Sequence, residues 1–222
     1  MAPSSMRYQL SKAYLQWARA IVGAKIRCTE QDGLRYPPNL MLAVMSHVYI
    51  YSHMAIVAFA NGQVGVLWGQ KNPYLRKKFQ HHADIAGLLR QDLGELKVCL
   101  RELCQAMSIE DISVAEPRVW NDLNQVLKQS RDFLVHPTKD PALFQSAMDR
   151  MIKKHFAFPI QVAEKTITYF YAKTHSKVPK WLSDAFFGPS RSPSRSMPIT
   201  VSDQADHHLG ACRSPFRPCR SA

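Results

Sequence analysis

The chain has 222 residues, with 29 Lys or Arg against 17 Asp or Glu and a formal charge of +12 with histidine neutral. At 46% hydrophobic and 10% aromatic residues it can bury a real core, which excludes a wholly disordered or collagen-like chain. The basic excess favours an anionic partner, nucleic acid or an acidic lipid surface.

Five cysteines, Cys28, Cys99, Cys104, Cys212 and Cys219, are an odd number in a chain too long to need a disulfide framework. Met1 to Met6 lacks the charged-then-apolar layout of a signal peptide, so a reducing, cytoplasmic setting is expected. Cys99 and Cys104 lie five apart on an expected helix, a poor spacing for a metal pair, and read as reduced core residues. The charge is unevenly spread. Residues 1–35 are net +4, the run from Lys71 to Lys78 adds four cations, residues 84–149 are net −4 and residues 150–182 net +6. Such blocks fit either solvated helix faces or a composite basic surface that tracks a phosphate backbone.

Along the chain, Leu10, Tyr14, Trp17 and Ile21 recur at spacings of 4, 3 and 4 and predict an amphipathic helix that ends near Arg27. Between Arg35 and Lys71 lie 35 residues without an Asp, Glu, Lys or Arg, and Leu40 to Ala60 is nearly all apolar. That length could cross a bilayer. A central core helix is favoured instead, because Asn39, Ser46 and His53 repeat every seven residues as a thin polar seam, and a lipid-facing helix disfavours histidines at its centre. Asn61-Gly62 is expected to cap this helix, with a loop through Gly65, Gly69 and Pro73 after it.

Ile85, Leu89, Leu93, Leu96, Leu100, Leu103 and Met107 predict one helix of six turns, closed by the segment from Ser108 to Asp111. Pro117 opens the next, whose face carries Trp120, Leu123, Leu127 and Leu134 as far as Val135, and Pro137 stops it. Further helices are expected from Pro141 to Lys154 and from Ile160 to Lys173. No alternating strand pattern appears. The expectation is an all-α fold: a single helical bundle of about five to six helices over residues 1–182, followed by a disordered basic Ser/Pro/Arg-rich tail over 183–222. His207, His208, Cys212 and Cys219 in that tail match no familiar zinc module, and neither a metal site nor a cofactor is expected.

The sharpest motif is Ser130-Arg-Asp-Phe-Leu-Val-His-Pro137 at the end of an amphipathic helix. An Arg and a His separated by four residues is weak evidence alone, since the chain holds three such pairs: Arg76/His81, Arg131/His136 and Arg150/His155. Five helical steps would leave Arg131 and His136 about 140° apart. His136 precedes proline, however, which pushes it out of the α region and lets its imidazole leave the helix course. Arg76/His81 lies in a basic run with Lys77, Lys78 and His82, and Arg150/His155 reads as an ordinary basic helix face.

The segment Arg131-Asp-Phe-Leu-Val-His136 resembles the signature of the HEPN superfamily, an all-helical group whose motif is an Arg, usually followed by a polar residue, then four to six residues to a His. The resemblance covers the helix at 117–137 and, loosely, the surrounding body. It implies metal-independent RNA cleavage, commonly by a homodimer whose motif helices meet around one cleft, and often within toxin–antitoxin or abortive-infection systems with an antitoxin as partner. A histidine can move a proton to or from ribose and phosphate oxygens near neutral pH. An arginine can neutralise the charge that develops on the phosphate. On this reading Arg131 and His136 are catalytic, Ser130, Asp132 and His53 support them, and Lys71, Arg76, Lys77, Lys78, Arg150, Lys153 and Lys154 guide RNA.

The plainer alternative has Arg131 in a salt bridge to a neighbouring helix and His136 satisfied at the helix end. Some members of the superfamily have lost catalysis, so a non-catalytic RNA-binding or protein-interaction module is the alternative function. A membrane-associated helical protein anchored by residues 40–60 is the second.

Overall fold

Among the described residues proline stands first or second in six of the helices, and short polar side chains cap several of them, so these helix boundaries follow from local chemistry. The computed structural model describes residues 3–32, 38–136, 140–154 and 156–183, and among these every regular element is helical. The long elements are α1 (Pro3–Asp32), α2 (Pro38–Gly69), α5 (Leu96–Ala106), α9 (Pro141–Lys153) and α10 (Phe158–Lys173). A further continuous helical run joins α7 (Pro117–Asn121), a π-helical stretch (Asp122–Lys128) and α8 (Gln129–Val135). Short helices α3 (Pro73–Lys78), α4 (Ile85–Gln91), α6 (Ile112–Ala115) and α11 (Lys180–Ser183) fill the connections. The fold is all-α. These helices belong to one unit, and the expected tail beyond Ser183 lies outside the described residues.

α2 is the hub. It packs against α1, α5, α8 and α10, and its Tyr49, Ile56, Phe59 and Val64 are almost fully buried. Ser11 on α1 donates its hydroxyl to the Ala55 carbonyl at 2.9 Å, and Phe59 meets Phe170 of α10 with ring centroids 5.6 Å apart. Arg19 ties three elements together, reaching Glu164 of α10 at 2.8 Å and the Trp181 carbonyl of α11 at 2.6 Å. The Ala43–Gly69 part of α2, with mean hydropathy 1.4, is long and apolar enough to cross a membrane, and half of its most apolar window is buried inside the bundle.

Three boundaries differ from expectation, the first in α1, which continues past Arg27 to Asp32. α2 does not stop at Asn61-Gly62 but runs two more turns to Gly69. Gly62, Gln63, Val64 and Trp68 are buried there, and packing on α3, α4 and α5 outweighs the low helix propensity of glycine. The chain turns instead at Lys71, whose φ of 57° reverses it ahead of Asn72. Asn72 then caps α3, accepting from the Leu75 amide and donating to the Ala106 carbonyl. The expected six-turn helix from Ile85 to Met107 is likewise two helices, α4 and α5, broken at 92–95. Leu88, Leu93, Leu96, Leu100 and Leu103 are buried on both sides of the break, so the apolar rhythm continues although the backbone does not. Asp92 and Leu93 both donate their amides to the Leu88 carbonyl. Gly94 comes so close to the Arg90 carbonyl that a Cβ would sit 3.1 Å from it.

Cys99 and Cys104 are buried free thiols. Burial pushes them up, to about 12 and about 11, which makes them inert core residues.

Candidate functional site

The motif helix opens at Pro117 and is pinned to the core by Leu123, Leu127 and Ser130. Between them the chain takes the i→i+5 pattern over Asp122–Lys128, a local insertion into an α-helix that often accompanies functional sites. After Val135 the helix ends at His136, with φ −128° and ψ 73°. This is the departure that the following Pro137 imposes. The His136 amide still donates to the Asp132 carbonyl at 2.8 Å, while its side chain is exposed.

Arg131 is half-buried and folds onto its neighbour, donating from Nη1 to Asp132 Oδ1 at 2.8 Å. Lys128 approaches the other oxygen of the same carboxylate at 3.4 Å. Burial pushes Asp132 up, but the hydrogen bond from Arg131 and the Lys128 charge outweigh it and leave the carboxyl below its ordinary range. No hydrogen bond or ion pair among the described residues joins Arg131 to His136.

Behind Arg131 the contact between α8 and α2 carries the polar seam. His53 is buried, and its ring is pushed down to about 4 by burial first and by the positive charge of Arg131 second. It is therefore a neutral imidazole at physiological pH. Both its ring nitrogens, the Tyr49 hydroxyl, the Ser52 hydroxyl and Arg131 Nε are buried without a hydrogen-bond partner in the described structure. Buried polar atoms are nearly always paired, so this concentration along one seam sets the region apart from the rest of the core. Burial also pushes the Tyr49 phenol up to about 12.

On the solvent side, α5 and the π-helical stretch enclose a cleft of about 320 Å³. Lys97, Arg101 and Lys128 line it together with Trp120, Gln125 and Gln129. The Arg101 guanidinium stands 5.3 Å over the Trp120 ring, and Arg150 of α9 reaches Gln129 at 3.2 Å. These cleft residues were not among those expected from the sequence, since α5 and the motif helix are separated in the chain and their cations are scattered singly.

The basic residues singled out from the sequence fare unequally. Arg76 stacks on Trp68, 3.8 Å from the ring centroid, and donates to the Trp68 carbonyl. Lys78 is paired with Glu102 at 2.6 Å. Lys71 and Lys77 are exposed. Arg150 and Lys154 are exposed too, the latter with its ammonium 4.6 Å from the Phe158 ring. The Lys153 side chain and His155 lie outside the described residues.

A second polar cluster stands apart from the motif. His81 and His82, in the turn after α3, both direct Nε2 at one oxygen of Asp92, the residue that ends α4. His82 is buried and His81 exposed, so the segment 76–82 is only partly the solvated basic run expected. The doublet His81-His82 followed ten residues later by Asp92 is the signal that could have revealed it.

No family model, curated protein or solved structure matches this chain. Its function therefore has to be argued from these side chains.

Proposed function

We propose that this chain is a metal-independent endoribonuclease of the HEPN type, in which Arg131 and His136 act on the RNA backbone. The observation that carries the reading is the proline-ended motif helix. It leaves His136 exposed just beyond the helical course while Arg131 stays half-buried against Asp132 and near a neutral His53. In the reaction, the ribose 2′-oxygen loses its proton to a base and attacks phosphorus, the bond to the 5′-oxygen breaks, and that oxygen takes a proton. The products are a 2′,3′-cyclic phosphate and a free 5′-hydroxyl. An exposed imidazole suits either proton transfer, and the Arg131 guanidinium would stabilise charge on the non-bridging phosphate oxygens.

Two further features support RNA as substrate. The cleft at the π-helical stretch brings three cations and an indole face together beside Glu95, with Lys128 about one turn before Arg131, which suits a phosphate backbone and a stacked base. The basic residues Lys71, Lys77, Arg150 and Lys154 are exposed, and Arg150 reaches Gln129 at the edge of the cleft. A homodimer in which two motif helices meet would supply a second Arg131/His136 pair to the same cleft. A cytoplasmic role as the toxin of a toxin–antitoxin or abortive-infection pair, restrained by an antitoxin, fits that chemistry.

The test is incubation of the wild-type dimer and of His136→Ala and Arg131→Ala with total RNA in EDTA. Wild type should cleave, and each variant should lose at least about a hundredfold of the rate. Equal cleavage by all three, or none by a clean dimeric wild type, overturns the reading. The cleft also fits a second reading, a non-catalytic RNA-binding module. It predicts salt-sensitive binding that survives Arg131→Ala, with no turnover.

A further inference from the structure

We propose that His81, His82 and Asp92 form a binding site for a divalent transition-metal ion of the zinc class, joining the turn after α3 to the end of α4. Two imidazole nitrogens and one carboxylate oxygen converge there from segments before and after α4. His81 Nε2 stands 3.0 Å from Asp92 Oδ2, His82 Nε2 is in still closer contact with the same oxygen, and the three ligand atoms lie within 4.8 Å of one another. A tetrahedral zinc ion, with ligands at about 2.0–2.2 Å, spaces those ligands about 3.3 Å apart. A small withdrawal of the Asp92 carboxylate would therefore admit an ion at the centre of the triangle.

The cluster is held in place by its surroundings. The His82 ring is buried, and a Cβ on Gly87 would stand 3.3 Å from its Nδ1, so the first turn of α4 closes over the far edge of the ring. The His82 amide donates to the Phe79 carbonyl at 3.1 Å and the Asp92 amide to the Leu88 carbonyl at 3.1 Å, which fixes both backbones. Both imidazoles meet the same oxygen, Asp92 Oδ2, so one carboxylate oxygen already serves both rings. Three cations end α3: Lys78 is paired with Glu102, Arg76 lies on the Trp68 ring, and Lys77 is exposed.

The donor set selects the ion. Two nitrogens and one oxygen suit zinc, cobalt or nickel rather than calcium or magnesium, which take mostly oxygen. Three protein ligands leave a fourth position, and the exposed sides of His81 and Asp92 give water access to it. The site is independent of the ribonuclease reading, because the cleavage proposed above proceeds in EDTA. The ion's part is to clamp α3 to α4.

The full chain, stripped with EDTA and dialysed, is titrated with zinc by calorimetry and with cobalt by visible absorption. One ion should bind per chain with micromolar or tighter affinity, raise the thermal midpoint and give the intense bands of four-coordinate cobalt. His81→Gln and Asp92→Asn, both at exposed or half-exposed side chains, should each weaken binding at least about tenfold while circular dichroism stays helical. A His207→Ala/His208→Ala variant of the same full chain should bind as wild type does. Absence of binding, binding undiminished in both ligand variants, or binding lost with His207 and His208 would each overturn the site.

Discussion

The Arg131 guanidinium lies along its neighbour, Nη1 to Asp132 Oδ1 at 2.8 Å, and does not reach along the helix end to His136. Adjacent residues on a helix seldom face one another, and the Asp132 carboxylate, shared with Lys128, would position Arg131 in the proposed reaction. The pair is partly exposed, and Asp132→Asn should cost under about 1 kcal/mol of stability. If Arg131 serves the chemistry proposed here, the same variant should lower kcat about tenfold or more with little change in KM. Urea denaturation and cleavage kinetics on one preparation separate the two effects, and an unchanged kcat would remove Asp132 from the positioning role.

His53 makes stability depend on acid. Its folded pKa is depressed from 6.5 to about 4 by burial, with Arg131 and Lys128 adding to the effect and Asp132 opposing it. The unfolded chain therefore binds this proton first as pH falls, so the stability conferred by a neutral His53 is complete above about 6.5 and is lost towards 4. The full loss is roughly 3 kcal/mol. Wild type and His53→Leu, compared by chemical denaturation from pH 7.5 to 4, should diverge in that window, with the leucine variant the flatter. Parallel profiles would mean that His53 titrates alike in both states.

Arg19 and Glu164 form the most buried ion pair of the bundle among the described residues, with side chains 12% and 14% exposed. Burial holds the Glu164 pKa above its ordinary range, and Arg19 offsets only part of that rise. Removing the cation alone strands a desolvated carboxylate, so Arg19→Met should cost about 3 kcal/mol. The double variant Arg19→Met/Glu164→Met should be more stable than the single one. Equal denaturation midpoints for Arg19→Met and wild type would show that the pair does not staple α1 to α10 and α11.

Two glycines should respond in opposite directions. At Gly94 a new methyl would meet the Arg90 backbone carbonyl at 3.1 Å, an obstacle that cannot swing aside, and Gly94→Ala should destabilise by about 1 kcal/mol. At Gly69 nothing lies within 4 Å of the added carbon. Gly69→Ala should stabilise by about 0.5 kcal/mol, because the unfolded chain loses freedom. Thermal midpoints moving the same way in both variants would contradict this account of the two turns.

These positions also mark how far the sequence could be read. Pro117 announced the start of the motif helix and Pro137 its end, because proline acts through its own ring and its immediate neighbour, and both effects appear in the backbone at Glu116 and His136. Asn61-Gly62 and Gly94 are equally local signals with opposite outcomes. The first was overridden by burial of α2 against α3, α4 and α5, and the second was hidden beneath a leucine rhythm that continues across the break. The motif pair and the polar seam of α2 were legible as patterns, but the packing of that seam behind Arg131 and the cleft at the π-helical stretch depend on which helices meet. His82 and Asp92 meet only because α4 is short enough for its C-terminal residue to return to the turn that precedes it.

The π-helical stretch from Asp122 to Lys128 makes residue counting an unsafe guide to this helix. Its wider turns absorb about one extra residue relative to a regular α-helix, and one residue is worth about 100° of rotation. Deleting a single position there would close the stretch into a regular α-helix and leave Trp120 before it and Ser130 and Arg131 after it facing as they do now. An alignment anchored at Pro117 and run without a gap would thus pair Arg131 with the wrong neighbour in any helix that lacks the extra residue.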